Sequence, residues 1–181
     1  LKLAKANFYK KDFDWTLQQV KVLKQSPSLL IANDAIEMFL LIQDNSAEDS
    51  LRVALQAYAK AALQLYQNKK EEALQLFLAI LQKHKGESIE EGTLFKVGKI
   101  YEEKGDFNKA LTYYQNILDN HKDGIYKDEA LYFSAEIYRK HLLDNEKAKA
   151  LYEKVVLEHP DSLYYTEGGK QYRTLRGDST I

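Results

Sequence analysis

The sequence predicts an all-α protein built as a solenoid of antiparallel helix hairpins, each packed on the next. Three observations carry that prediction. An alanine is followed four residues later by an aromatic at Ala73/Phe77, Ala110/Tyr114 and Ala148/Tyr152, and successive pairs lie 37 and 38 residues apart. Self-similarity at this period marks an array of repeats rather than one closed globule. The composition suits helix at most positions, with only two prolines and an abundance of Ala, Leu, Lys, Glu and Gln. No stretch alternates with period two for long enough to make a sheet.

Local chemistry sets the elements in order. A first helix is expected over 1–9 and a second over 12–25, where Phe13, Thr16, Val20 and Leu23 trace one face. The third, 29–43, is apolar on nearly every side, from Leu29, Leu30 and Ile31 through Met38, Phe39, Leu40, Leu41 and Ile42. A helix of that kind must be buried. It is expected to wedge between the N-terminal hairpin and the helix that follows, or to dock on a missing domain or a second chain. The next helix, 48–67, opens on a capping box of Ser46 and Asp49 and carries Tyr58, Ala61, Ala62 and Leu65. Its partner, 70–84, holds Ala73, Phe77 and Ile80.

Ser88 and Glu91 form a second capping box for a helix over 88–104, lined by Leu94, Val97, Gly98 and Tyr101. Gly105 suits a left-handed helix stop and Asp106 the next N-cap, giving 107–120 with Ala110, Tyr114 and Ile117. Then follow 126–142 with Leu131, Ala135 and Tyr138, and 145–158 with Ala148, Tyr152 and Val155. A last helix, 163–175, contains Gly168 and Gly169, either as a frayed cap or because it approaches the preceding hairpin closely. The chain divides into irregular hairpins over 1–47, three repeats over 48–160 and a capping helix over 161–181, all within one domain. Small residues at a crossing let two helices approach, and the aromatic one turn away fills the gap to the neighbouring hairpin.

The unit over 91–124 resembles the tetratricopeptide repeat, whose first helix reads large-x2-large-small-x2-Tyr and whose second reads Ala-x3-aromatic. Lys122 stands where that family often has proline. The next unit is similar and keeps Pro160, with Ser134 departing from the pattern and one extra residue in its turn. The unit before them keeps the second helix and matches less well in the first. The resemblance implies a right-handed superhelix. The spacing and the run Val155, Glu158, His159, Pro160, Asp161, Ser162 are also similar to bacterial cell-envelope repeat proteins, which suggests a periplasmic or outer-membrane-associated adaptor.

Several function classes are excluded. Lys and Arg number 26 against 27 Asp and Glu, a formal charge of −1, so no concentrated basic patch draws a nucleic acid. The apolar run Leu29–Ile42 is broken by Asn33, Asp34 and Glu37 and is too short to span a bilayer. Without cysteine the redox compartment stays open. Leu1 is not an initiator methionine, so a fragment or processed product with missing upstream repeats is expected, and self-association through the cut N-terminus is one consequence.

No catalytic constellation stands out. His84, His121 and His159 recur at the end of successive second helices, where the negative end of the helix dipole favours them. Stacked hairpins hold equivalent points about 8–10 Å apart, too far for one metal ion. Glu102 and Glu103 are carboxylates on a polar face, and Arg176-Gly177-Asp178 is a terminating glycine after a helix rather than an adhesion sequence. No cofactor, metal or catalytic residue is expected.

The resemblance implies a concave groove lined by the first helices of the hairpins. Carried over position by position, it assigns Phe95, Lys99 and Glu102 to one repeat, Tyr132, Glu136 and Arg139 to the next, and Ala59, Leu63 and Tyr66 to the weaker unit before them. Phe95, Tyr132 and Tyr66 would form an aromatic floor with a mixed-charge rim, suited to a protein or peptide partner. Lys99 and Glu136 occupy a slot that the family's chaperone-tail binders fill with asparagine, which argues against a carboxylate clamp. The expected function is a non-enzymatic interaction scaffold; an architectural spacer or self-association module is the alternative.

Overall fold

A computed structural model describes residues 1–47, 52–121 and 123–178. Among these it contains ten α-helices, one π-helical segment and no strand. They are α1 (Lys2–Tyr9), α2 (Phe13–Leu23), α3 (Leu29–Ala47), α4 (Val53–Tyr66), α5 (Lys70–Lys83), α6 (Ile89–Glu103), α7 (Phe107–Asn120), α8 (Lys127–Ile137) with its π continuation Tyr138–Leu142, α9 (Asn145–Glu158) and α10 (Tyr165–Arg176). This is the all-α helical-repeat fold that the sequence predicts. The chain forms two compact units, Leu1–Val97 and Gly98–Ile181.

The hairpin turns obey one backbone rule. Between α1 and α2, α4 and α5, α6 and α7, and α8 and α9, one residue adopts left-handed φ: Lys11 (65°), Asn68 (62°), Gly105 (78°) and Leu143 (54°). Gly105 carries the usual side-chain signature of that conformation and Asn68 a weaker one, while Lys11 and Leu143 carry none. In the first three turns the chain then closes with an N–H to C=O bond five residues back, from Asp12 to Asn7, Lys69 to Gln64 and Asp106 to Tyr101. In the fourth the same bond runs six residues back, from Asp144 to Tyr138. The extra residue that the sequence shows is absorbed as a π turn over Tyr138–Leu142, so the hairpin keeps its closure.

The helices α2, α7 and α9 start alike, whereas α5 follows Lys69 with no side-chain cap. The carboxylates of Asp12, Asp106 and Asp144 accept from the backbone N–H of Trp15, Lys109 and Lys147 at 3.4, 3.3 and 3.1 Å, satisfying orphan donors of the first turn. The helices α5, α7 and α9 end alike. His84, His121 and His159 are the C-caps of α5, α7 and α9, their N–H groups bonded to Ile80, Ile117 and Val155.

Two expectations about the N-terminal third need correction. Helix α3 runs on to Ala47, with Ser46 Oγ donating to the Ile42 carbonyl and Asn45 Nδ2 to that of Leu41. Ser46 therefore sits inside α3 and does not cap the next helix, which begins at Val53 behind a left-handed Arg52 (φ 51°); Asp49 lies outside the described residues. Nor is α3 buried on every side. It packs on α2 and α4 as expected, burying Ala35, Ile42 and Asn45, but Leu29 and Leu30 are 75% and 67% exposed and Ile36 is open as well.

In the first unit Ala4, Val20 and Ala35 meet with Leu23, Met38 and Phe39 around them. An aromatic chain continues that core: Phe8 with Phe13 (5.5 Å between centroids), Phe8 with Tyr58 (6.3 Å) and Tyr58 with Phe77 (5.3 Å). In the second unit Ala135, Ala148 and Tyr152 form the centre, flanked by Tyr132, Tyr138, Leu151, Tyr172 and Leu175. Gly168 and Gly169 are buried, so the last helix packs closely on α9 at that point and is not frayed there. A Cβ on Gly168 would lie 3.4 Å from Val155 Cγ1.

Candidate functional site

Within the second unit, α6 and α8 carry a charge pair at the same repeat position with its sign reversed. Lys99 Nζ lies 3.1 Å from Glu102 in α6, while Glu136 accepts from Arg139 Nη2 at 3.2 Å in α8. The tyrosine of each following helix seeks out whichever position holds the carboxylate. Tyr114 Oη donates to Glu102 at 2.7 Å, and Tyr152 Oη donates to Glu136. The Ala-x3-Tyr pattern thus supplies both a gap-filling ring and a hydroxyl that crosses to the carboxylate of the preceding helix.

Glu136 is 8% exposed, which makes it a buried charge that must be paired. Lys140 and Arg139 bracket it and Tyr152 donates to it. Burial pushes its carboxyl pKa up, but the hydrogen bonds from Lys140 and Tyr152 and the nearby Arg139 outweigh that and leave it below its ordinary value. Burial pushes the Tyr114 and Tyr152 hydroxyls well above theirs, helped by Glu102 and Glu136 respectively. Tyr132 is pushed up to about 12 by burial and by Glu136 and Glu167.

Beside this network lies an aromatic cluster. Tyr132 stacks on Tyr164 at 4.4 Å, Phe133 packs edge-on to Tyr164 at 5.4 Å, and Lys99 Nζ sits 3.6 Å above the Phe133 ring. A recess of about 260 Å³ is lined by Glu102, Tyr132, Phe133, Glu136, Ile137, Lys140 and His141. Of the residues assigned from sequence, Glu102, Tyr132 and Glu136 line this recess; Lys99 and Arg139 reach it through their carboxylate partners. The arrangement offers an aromatic surface beside two carboxylates that already hold cationic partners within the chain.

The first unit holds Tyr66 and Phe95. Tyr66 is 74% exposed and packs against Tyr9 at 5.4 Å. Phe95 is 8% exposed, so its ring contributes mainly to packing. Tyr66 lines a cleft of about 280 Å³ between α1, α3, α4 and Lys96 of α6. Ala59 is fully buried. The cleft escapes the sequence reading because its α1 and α3 walls, Tyr9 among them, lie outside the repeat register, and because the repeat pattern reads Tyr58 as packing and gives Lys96 no role.

Among the described residues no cluster of His, Asp and Glu suits a metal ion, and no helix is long and apolar enough to cross a membrane. His84 Nδ1 pairs with Glu87 at 2.9 Å, and the Arg176–Asp178 ion pair closes over Gly177, which ends α10 at φ 87°.

Left-handed turns, crossing alanines and tyrosine-to-carboxylate ties make this a helical-hairpin repeat protein. The sequence profile of the tetratricopeptide repeat matches residues 93–124 and 129–162. The fold is similar to a tetratricopeptide repeat protein from Parabacteroides merdae ATCC 43184, with a TM-score of 0.58 and 20% identity. The similarity covers 97% of this chain and 61% of that one, so the chain spans less than two thirds of its structural neighbour. No curated protein matches the sequence. Tetratricopeptide repeats generally mediate protein–protein interaction and are typically non-enzymatic.

Proposed function

We propose that this chain is a non-enzymatic scaffold that presents the first helices of its hairpins to a protein or peptide partner. The observation that carries the reading is the Tyr132–Phe133–Tyr164 cluster beside charges that are paired within the chain. Aromatic rings at a desolvated centre with a polar surround are the arrangement on which binding energy concentrates. Charges paired in place need not find partners across an interface, so they add specificity at little desolvation cost. Lys99, Glu102, Tyr132, Glu136 and Arg139 are the proposed partner-facing residues of the second unit; in the first, Tyr66 is proposed by itself, with Phe95 beneath the surface.

The test is capture of a partner from the native host by the wild type and by Tyr132→Ala combined with Arg139→Ala. Loss of a protein from the variant at unchanged helicity supports the scaffold. Equal recovery would sink the assignment. Phe95→Ala is a poor control, because truncating a buried ring perturbs packing as well. An adaptor role in bacterial envelope assembly rests on the resemblance of the repeat spacing and of the 155–162 run. Fractionation of host cells, with antibody detection of the chain, tests it.

A second reading, self-association, draws on the open apolar side of α3, where Leu29, Leu30 and Ile36 are exposed. Sedimentation equilibrium distinguishes it: a monomer at tens of micromolar would overturn it.

A further inference from the structure

The cleft of the first unit contains an unsatisfied buried donor. Tyr58 is 2% exposed, and its hydroxyl has no hydrogen-bond partner among the described residues. Burial raises its pKa far above the ordinary value, so the O–H stays on the oxygen at neutral pH. Buried polar groups left without a partner are rare and costly in native proteins, so this one calls for an explanation.

The surroundings narrow the chemistry. Lys96 Nζ faces Glu37 at 3.7 Å, beyond direct hydrogen-bond reach, which leaves ammonium donors near the Tyr58 hydroxyl. At the cleft's edge Lys5 and Asp34 are paired at 3.1 Å. Two cations and two carboxylates line the cleft and cancel. A ligand carboxylate would meet Asp34 and Glu37 as well as Lys96, and a cationic ligand would compete with Lys96 for Glu37. A neutral group that accepts on one side and donates on the other fits both ion pairs as they stand. The walls are Phe8, Met38, Leu41, Leu65, Tyr9 and Tyr66, apolar or aromatic surfaces for a short aliphatic stem. At about 280 Å³ the space suits one side chain and its flanking backbone.

We propose that this cleft recognises a side-chain carboxamide, glutamine or asparagine, of a bound peptide. Its carbonyl oxygen accepts from Tyr58 Oη and Lys96 Nζ, and its amide nitrogen donates to Glu37. Tyr66 is the proposed partner-facing residue of this unit, so the inference deepens that reading and names what one part of it selects.

The test uses the full chain, ¹³C-labelled at tyrosine, titrated with four capped amino acids: acetyl-glutamine amide, acetyl-glutamate amide, acetyl-lysine amide and acetyl-alanine amide. The alanine probe controls for backbone amides. The expected result is a shift of the Tyr58 ring signals with acetyl-glutamine amide at a Kd at least fivefold lower than for the other three, and a loss of about five- to tenfold in Tyr58→Phe. Tighter binding of the glutamate probe, equal binding of the alanine probe, or unchanged glutamine binding by Tyr58→Phe would overturn the assignment. Thermal stability adds a second readout. Because the hydroxyl is unpartnered in the free chain, Tyr58→Phe should melt at or above the wild-type temperature; a clear fall would show that the hydroxyl is already bonded within the chain and overturn the inference. Failure of these probes leaves the partner surface around Tyr132 untouched, and failure there leaves this cleft to be judged by its own titration.

Discussion

Two glycines at helix crossings behave oppositely, and the difference lies in tenths of an ångström. A Cβ on Gly98 would stand 2.5 Å from Tyr114 Cε1, and that ring is fully buried with its hydroxyl tied to Glu102. The ring cannot retreat without leaving its hydrogen bond. Gly98→Ala should therefore cost about 1–3 kcal/mol through overpacking, a fall of several degrees in the melting temperature. At Gly168 the nearest atom is an ordinary contact distance away, and alanine restores helix propensity of up to about 1 kcal/mol. Gly168→Ala should melt at or slightly above the wild type; calorimetry of the two variants side by side checks both. The sequence identifies both as small positions, but periodicity does not say how far away the facing atom is. The same holds for Tyr114 and Tyr152. Their ring slots are legible from spacing, whereas the crossing of their hydroxyls to Glu102 in one repeat and Glu136 in the next depends on a charge pair whose sign reverses.

Among the elements, the repeat helices were readable because three independent registers agree on where small and aromatic residues fall. Helix α3 shows where such reading stops. Composition says that it is apolar all round; it cannot say which neighbours exist to cover it, and those present cover only one side. The consequence is testable by substitution on the two sides. Leu29→Lys should leave the stability within about 0.5 kcal/mol of wild type, while Ile42→Ala, at a fully buried position, should cost about 2–5 kcal/mol. Comparable losses at both would mean that the open side is covered in solution. The caps make an equally local claim. Asp106 holds the Lys109 N–H and Asp144 the Lys147 N–H, so Asp106→Ala should speed amide exchange in the first turn of α7 and leave α9 unchanged. Turn geometry was only partly legible, since Lys11, Asn68 and Leu143 take the same left-handed conformation as Gly105 without a glycine to announce it. Hairpin closure imposes it on whichever residue occupies the slot.

For the whole molecule, the formal charge of −1 leaves little net self-repulsion near neutral pH, so pH sensitivity must come from individual groups whose pKa values shift on folding. On the acid side Glu136 and Asp128 lie below their ordinary values in the folded chain: burial raises each, and hydrogen bonds to each carboxylate outweigh it. A depressed folded pKa contributes stability that is present above the unfolded value, about 4, and is lost as pH falls through the folded one. On the alkaline side burial raises Tyr58, Tyr114 and Tyr152. The unfolded chain then releases protons near pH 10 that the folded chain retains, so stability falls as pH rises beyond that point. The melting temperature should be nearly flat between about pH 5 and 9 and drop on both sides. Glu136→Gln isolates the acid limb. It should lower the melting temperature at pH 7, where Arg139, Lys140 and Tyr152 lose their charged partner, and make the fall below pH 4 shallower than in the wild type. A parallel acid limb in the two proteins would show that Glu136 does not contribute to it.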